Sequence, residues 1–285
     1  MLVKPVSIGK GLHANDSKMV SVIIPTLNSS AFLDVCLSSL QRQSYKNLEI
    51  IIIDQGSWDH TLMIARKYAD KIIECERPKY YASPSQNRNY GSMLSKGSYL
   101  LHADSDMELD PLVVEKCVTL CKSGFDAVVI PEFDVGSGFW ADCKKIQRLS
   151  ILGDSHIEAA RFFKREAFFA VNGYAEPAVA AEDWWIHRKL LKAGFKIGRI
   201  NSPIFHHTGR MSLPKQILKK YYYGRNMRKF LLTYPDFLYK AILPMKKDHF
   251  STLEASPHCA RHVIGIIFLR ACELIGGFIG VLVGE

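Results

Sequence analysis

An α/β fold with a mostly parallel central sheet and helices on both faces is predicted by three features of the first 130 residues. Short apolar runs alternate with amphipathic stretches. The runs V-I-I at 22–24 and I-I-I-I at 50–53 lack alternating polar residues, as strands buried on both faces require. Polar clusters follow several of these runs directly, and ligands of such sheets bind at the carboxyl ends of strands.

Each element follows in turn. Residues 20–24 read as the first strand and 30–41 as its helix. Strand 48–53 with helix 61–68, strand 71–75 with helix 84–94, and strand 98–103 with helix 111–121 repeat the unit, and strand 127–130 closes the series. The second half is less regular, with a strand at 159–163, a helix at 182–193, a short strand at 196–200 and a strand-like pair at Ile204 and Phe205. Helix 214–234 puts Ile217, Leu218, Tyr221, Gly224, Met227, Phe230, Leu231 and Tyr234 on one side and its basic residues largely on the other. No internal repeat or low-complexity tract occurs.

The 285 residues are 48% hydrophobic and 23% charged, a globular balance that excludes a disordered, collagen-like or polytopic membrane chain. Net charge is +9, and residues 210–250 alone hold ten Lys and Arg against Asp236 and Asp248, or +8. The rest is nearly neutral, which argues against nucleic acid and for one local anionic contact such as a membrane surface. Seven scattered cysteines without a C-x-x-C pair suggest neither a disulfide framework nor zinc, and fit a reducing cytosol. Cys117 and Cys121, one helical turn apart, read as core thiols. The first eighteen residues lack an apolar signal core. The expected organisation is an extension at 1–18, a catalytic domain at 19–210, and a basic and apolar helical appendage at 211–285.

Residues 263–283 must be weighed as a membrane span. Thirteen Val, Ile, Leu and Phe side chains favour insertion by roughly 6 kcal/mol, whereas Arg270 and Glu273 oppose it by about 5 to 7 kcal/mol. A segment lying in the interface of an anionic membrane, on the cytoplasmic face, is the expectation.

Asp104 and Asp106, one residue apart after a buried strand, suit one hard cation that keeps positions open for a diphosphate. Asp54 ends another strand, where its carboxylate suits a base or sugar hydroxyl; helix capping is the alternative, and Asp59 is better placed for it. Arg88 suits a phosphate oxygen. Glu182 and Asp183 begin a helix, as acids favoured by the macrodipole do. His206 or His207, after the strand-like pair, suits a metal.

The segments V-S-V-I-I-P-T-L-N (20–28), I-I-I-D-Q-G-S-W-D (51–59), N-R-N-Y-G (87–91), Y-L-L-H-A-D-S-D (99–106), G-Y-A-E-P (173–177) and A-E-D-W-W-I-H-R (181–188), in this order, resemble the family-2 glycosyltransferases of the GT-A fold. The resemblance runs from about Val20 to His207. It implies inverting, non-processive transfer of one sugar from a nucleoside-diphosphate donor to a lipid-linked or glycan acceptor. By that likeness Pro25, Thr26, Asn28 and Ser105 line the donor pocket, Asp54 contacts the base and Arg88 lies near the phosphates. Asp104, Asp106 and His206 hold Mn²⁺ or Mg²⁺. Asp183, beside Glu182, is the general base. Gln55 departs from the acidic or small residue usual after the base-binding Asp, and His187-Arg188-Lys189-Leu190 replaces the Q-x-x-R-W of processive synthases. A nucleotidyltransferase would open with a glycine-rich loop where Pro25-Thr26-Leu27-Asn28 stands. A non-catalytic lipid- or polyanion-binding module would not need Asp104, Asp106 and Asp183.

Overall fold

The computed structural model describes residues 18–75, 83–150, 152–154, 158–176, 181–233 and 259–284. The extension at 1–17, Pro177, Tyr234, and Lys240, Lys246 and Lys247 of the basic stretch lie outside them. The first half follows the expected alternation: β1 Val20–Thr26, α1 Leu33–Gln41, β2 Leu48–Asp54, α2 Thr61–Ala65, β3 Lys71–Glu74, α3 Pro84–Leu94, β4 Tyr99–His102, β5 Met107–Leu109, α4 Val113–Lys122 and β6 Ala127–Val129. Then come β7 Glu132–Ser137, α5 Phe139–Ser150, β8 Ala160–Lys164, α6 Arg165–Ala170, α7 Glu182–Lys192, β9 Ile197–Arg199, β10 Ile204–Arg210, α8 Leu213–Thr233 and α9 Cys259–Val283.

Seven strands form the main sheet in the order β3-β2-β1-β4-β8-β6-β9. Only β8 runs against its neighbours, pairing antiparallel with both β4 and β6. The sheet is buried on both sides, and the strand period of two divides its residues between two cores. Val22, Ile24, Ile50 and Ile52 pack with Leu33, Leu37 and Leu40 of α1 and Val114, Cys117 and Cys121 of α4. Ile23, Ile51 and Ile53 pack with Phe168 of α6 and Ile186 and Leu190 of α7. Unbroken isoleucine runs are thus what this sheet requires. Cys117 and Cys121 are core thiols, as expected, and burial pushes the Cys121 thiol up to about 12.

The chain leaves β1 for β2 on one side and later returns to β4 on the other, so β1 and β4 flank a topological switch point. α3 starts beneath it with a capping box, in which Ser83 accepts from the Gln86 N–H and the Gln86 side chain accepts from the Ser83 N–H, with Pro84 in the first turn. A second sheet, β5-β10-β7, sets His206 opposite Met107 of β5 and Asp134 of β7.

α5 joins the second sheet to the C-terminal helices through Cys143, Ile266 and Leu269. α8 and α9 run parallel in close contact, with Gly276 against Ile217, Gly280 against Tyr221 and Gly284 against Arg225. A Cβ on Gly280 would overlap the Tyr221 carbonyl oxygen, so only glycine permits this approach. The expected separation of α8 into an apolar inner and a basic outer side fails in detail. Leu218 is 65% exposed, whereas Lys220 is half-buried, because the glycine face of α9 sets which side of α8 is covered.

Candidate active site

The turn after β2 is held and tied to the end of β1 by Asp54, which is fully buried. Its Oδ1 accepts from Thr26 Oγ1 (2.8 Å) and Ser57 Oγ (2.6 Å), and its Oδ2 accepts from the N–H groups of Gly56 (3.0 Å) and Ser57 (2.8 Å). Gly56 takes φ 78°, where a Cβ would be strained. Asn28 Oδ1 accepts from the Trp58 N–H at 3.1 Å. With four donors on its carboxylate, Asp54 organises the turn, as Asn28 does, while Pro25, Thr26 and Gln55 line the cleft. Asp59 likewise ties loops together, accepting from Thr61 and Ser30.

Asp104, Ser105 and Asp106 occupy the turn between β4 and β5. Arg88 of α3, 4% exposed, donates from Nη2 to Asp104 Oδ1 (2.5 Å) and from Nη1 to Glu182 Oε1 (3.0 Å). Its guanidinium lies 5.5 Å from the centre of the Tyr174 ring. Arg88 thus lines the cleft from between two carboxylates and fixes them. Arg161 of β8 does the same from the other side, 3.4 Å from Asp104 Oδ2, paired with Glu132 and 3.6 Å from Asp183 Oδ2. Burial opposes charge on Asp104, but Arg88, Arg161 and His206 overcome it and hold the carboxyl well below its usual range.

Glu182 shows the opposite balance. Burial and the neighbouring Asp183 push it up to about 7 against the pull of Arg88, whose charge is shared with Asp104. Both acids stand in the first turn of α7, after Ala181 at φ 64°. Asp183 lines the cleft, and its Oδ1 is buried without a hydrogen-bond partner among the described residues.

β10 chooses between the two histidines. His206 Nε2 lies 3.0 Å from Asp106 Oδ2 and its Nδ1 3.8 Å from Asp134 Oδ1. His207 points to the other face, bonded to Glu108 at 3.0 Å and stacked on Phe32. Burial opposes a proton on His206, yet Asp106, Glu132 and Asp104 raise its pKa. A field that holds a proton there also favours a divalent cation, so an O and N donor set of Asp106, His206 and Asp104 fits Mn²⁺ or Mg²⁺. With Asp104 engaged by two arginines, no ready cluster of three metal-binding side chains exists among the described residues.

Sequence reasoning missed Arg161, Glu132, Asp134 and Arg148, a network in which Arg148 pairs with Asp134 (3.1 Å) and Glu132 (3.4 Å). The readable signal was a charged residue inside the otherwise apolar run A-R-F-F. Tyr223 and Lys219 of α8, also missed, line the same cleft of about 1420 Å³.

The family model of glycosyl transferase family 2 matches residues 21–211. A Campylobacter jejuni protein named GalNAc(5)-diNAcBac-PP-undecaprenol beta-1,3-glucosyltransferase is 34% identical over 93 residues, 32% of this chain and 30% of that protein. The S. aureus TarS structure with UDP-GlcNAc superposes at TM-score 0.55 and 16% identity, over 93% of this chain and 90% of that one. A mannosyltransferase from Pyrobaculum calidifontis, in complex with GDP-Man and Mn²⁺, superposes at 0.54 and 16% identity, over 94% and 73%. The chain spans about a third of the length of several curated relatives it matches. The matched residues carry the whole switch point, the Asp104 to Asp106 turn and the start of α7, and the chain belongs to glycosyl transferase family 2.

Proposed function

We propose that the chain transfers one sugar from a nucleoside-diphosphate donor to a hydroxyl of a lipid-linked or glycan acceptor, with inversion and without processive elongation. The observation that carries this reading is the convergence of Asp104, Asp106, Glu182 and Asp183 on one cleft at the carboxyl ends of β1 and β4. The donors named in the TarS and mannosyltransferase complexes, and the lipid named for the Campylobacter glucosyltransferase, support the substrate classes.

In this mechanism Asp183, on the cleft wall, takes the acceptor proton. The acceptor oxygen bonds to the anomeric carbon from the face opposite the diphosphate. The bond from that carbon to the diphosphate oxygen breaks, and its electron pair leaves with the nucleoside diphosphate. Arg161 orients Asp183, and Arg88 anchors Asp104 and Glu182. A divalent cation held by Asp106, His206 and Asp104 would neutralise the diphosphate charge. Residues 19–210 form the transferase domain in this reading, and 211–285 a peripheral membrane appendage on the cytoplasmic face.

Two measurements test it. UDP, GDP, dTDP and CDP are screened by thermal shift with and without Mn²⁺; one is expected to raise the melting temperature in a metal-dependent way, and Asp106→Ala to abolish the metal dependence. Asp183→Asn is expected to keep nucleotide affinity and lower turnover on the order of 10²-fold or more. No nucleotide binding, or unchanged turnover in Asp183→Asn, overturns the reading.

A further inference from the structure

The cleft does not end at the catalytic carboxylates. It continues along α8 and α9, with walls that are cationic near the site and apolar beyond it. Tyr223 marks the junction: it lines the cleft together with Asp104, Glu182 and Asp183, so this part of α8 faces the reaction centre. Lys220 adds a cation next to Lys144, Lys219 and Arg270. Glu273, on the same side, is already taken by Lys144 (2.8 Å) and Arg270 (3.2 Å). Lys219 and Lys220 make no ion pair among the described residues; both ammonium groups lie over the Tyr223 ring instead. Burial and the surrounding cations push the Lys220 ammonium down to about 8. Among the described residues Glu273 alone does not balance these cations, and a phosphodiester or diphosphate would add further negative charge. Past the cations the walls are Met227 and Leu231 of α8 and Phe278 of α9, and Phe278 is 64% exposed.

We propose that this arm of the cleft binds the acceptor's lipid phosphate, with Lys144, Lys219 and Lys220 holding the phosphate beside the catalytic carboxylates and Met227, Leu231 and Phe278 lining the path of its hydrocarbon chain. The proposal rests on the transferase reading and narrows the acceptor to a saccharide carried on a long-chain phosphate or diphosphate. An apolar groove alone would suit any hydrophobe. The occupant is specified by the cation excess at its inner end, which matches an amphiphile whose saccharide reaches Asp183, whose anionic group lies at the lysines and whose tail leads away from both. A free phosphate would leave the apolar walls uncovered, and an uncharged lipid would leave the lysines unpaired.

Binding of farnesyl diphosphate, farnesol and inorganic diphosphate to the full chain in neutral detergent, measured by titration calorimetry, tests this. Farnesyl diphosphate is expected to bind at least tenfold tighter than either fragment. The Lys219→Met/Lys220→Met variant is expected to weaken it at least tenfold while nucleoside-diphosphate affinity stays within twofold. Phe278→Ser, an exposed change that spares the cations, is expected to weaken farnesyl diphosphate but not inorganic diphosphate, and it decides the matter if the double variant does not fold. Equal affinity for farnesyl diphosphate and inorganic diphosphate overturns the proposal. So does a double variant that loses flotation with anionic liposomes but keeps farnesyl diphosphate, since the lysines would then read a bilayer. Failure of the wild type to bind any nucleoside diphosphate would instead sink the transferase reading, and it is measured separately.

Discussion

Arg161 holds together carboxylates from three elements: Asp104 after β4, Glu132 of β7 and Asp183 of α7. Removing one partner from a buried charge network strands the others, so Arg161→Met is expected to cost about 3–5 kcal/mol in urea unfolding, far more than loss of an exposed ion pair such as Arg66 with Glu74. Glu182 gives a pH signature. Its folded pKa, near 7, stands above the ordinary value of 4.5, so the folded state binds the extra proton in that window. The stability it contributes is present below pH 4.5 and lost as pH rises through 7, at up to about 1.4 kcal/mol per unit. Glu182→Gln is expected to gain on the wild type between pH 5 and 7.5 in paired urea titrations; an unchanged difference would mean that Glu182 is ionised throughout. Asp104, Asp106 and Asp183 stand out in sequence because each follows a strand or opens a helix, and His206 because it follows the apolar pair Ile204 and Phe205, although it lies inside β10. Arg161 does not, since what it touches is brought together only by three distant strands and a helix start. The inward turn of Asp54 was equally hidden, because a carboxylate at a strand end looks the same in sequence whether it faces ligand or backbone.

Among the elements, α8 and α9 depend on backbone contact through glycines, and that contact makes a separable prediction. Gly280→Leu forces a side chain into the Tyr221 carbonyl, so the two helices must part. Protease sensitivity near α8 and weaker liposome binding are expected, with nucleotide affinity retained because β1, β4 and α3 are untouched. Retention of all three properties would mean that the helices do not pack in this register. The βαβ series of the first half was readable because local periodicity and strand burial point the same way. β5, β7 and β10 were missed or only hinted at. β5 is three residues long, and β7 reads E-F-D-V-G-S, a polar string whose partner β10 lies some seventy residues later. The reversal of β8 is invisible to periodicity, because the side-chain alternation of a strand does not depend on its direction. α5 and α6 went unread because the second half lacks regular strand spacing to frame them.

At the scale of the molecule, the charges in α9 would decide how it could meet a membrane. The insertion balance came out near zero because Arg270 and Glu273 were counted as facing lipid, yet Glu273 is 3% exposed and bound to Lys144 of α5 and to Arg270. With that cost turned toward protein, the remaining surface shows Ile264, Ile267, Phe268, Ile275, Ile279 and Leu282 to solvent. The 25-residue helix is about 37 Å long and by length and composition could cross a bilayer. Crossing would pull Glu273 away from α5 or draw Lys215, Lys219 and Arg225 of the parallel α8 into hydrocarbon, at about 2.5–3.5 kcal/mol for each central charge. Lying flat keeps the Lys144 to Glu273 bridge, leaves the basic residues at headgroup depth and covers the apolar face. The full chain is therefore expected to float with anionic liposomes at low salt, to be released in part by high salt, and to leave the membrane in carbonate. Phe268→Ser with Ile279→Ser is expected to weaken binding at every salt concentration, since that pair contributes through area rather than charge. Extraction by detergent alone would show that α9 inserts and gives up its bridge to α5. Absence from anionic liposomes even at low salt would assign the apolar face to a protein contact, and a soluble glycan would then replace the lipid-linked acceptor.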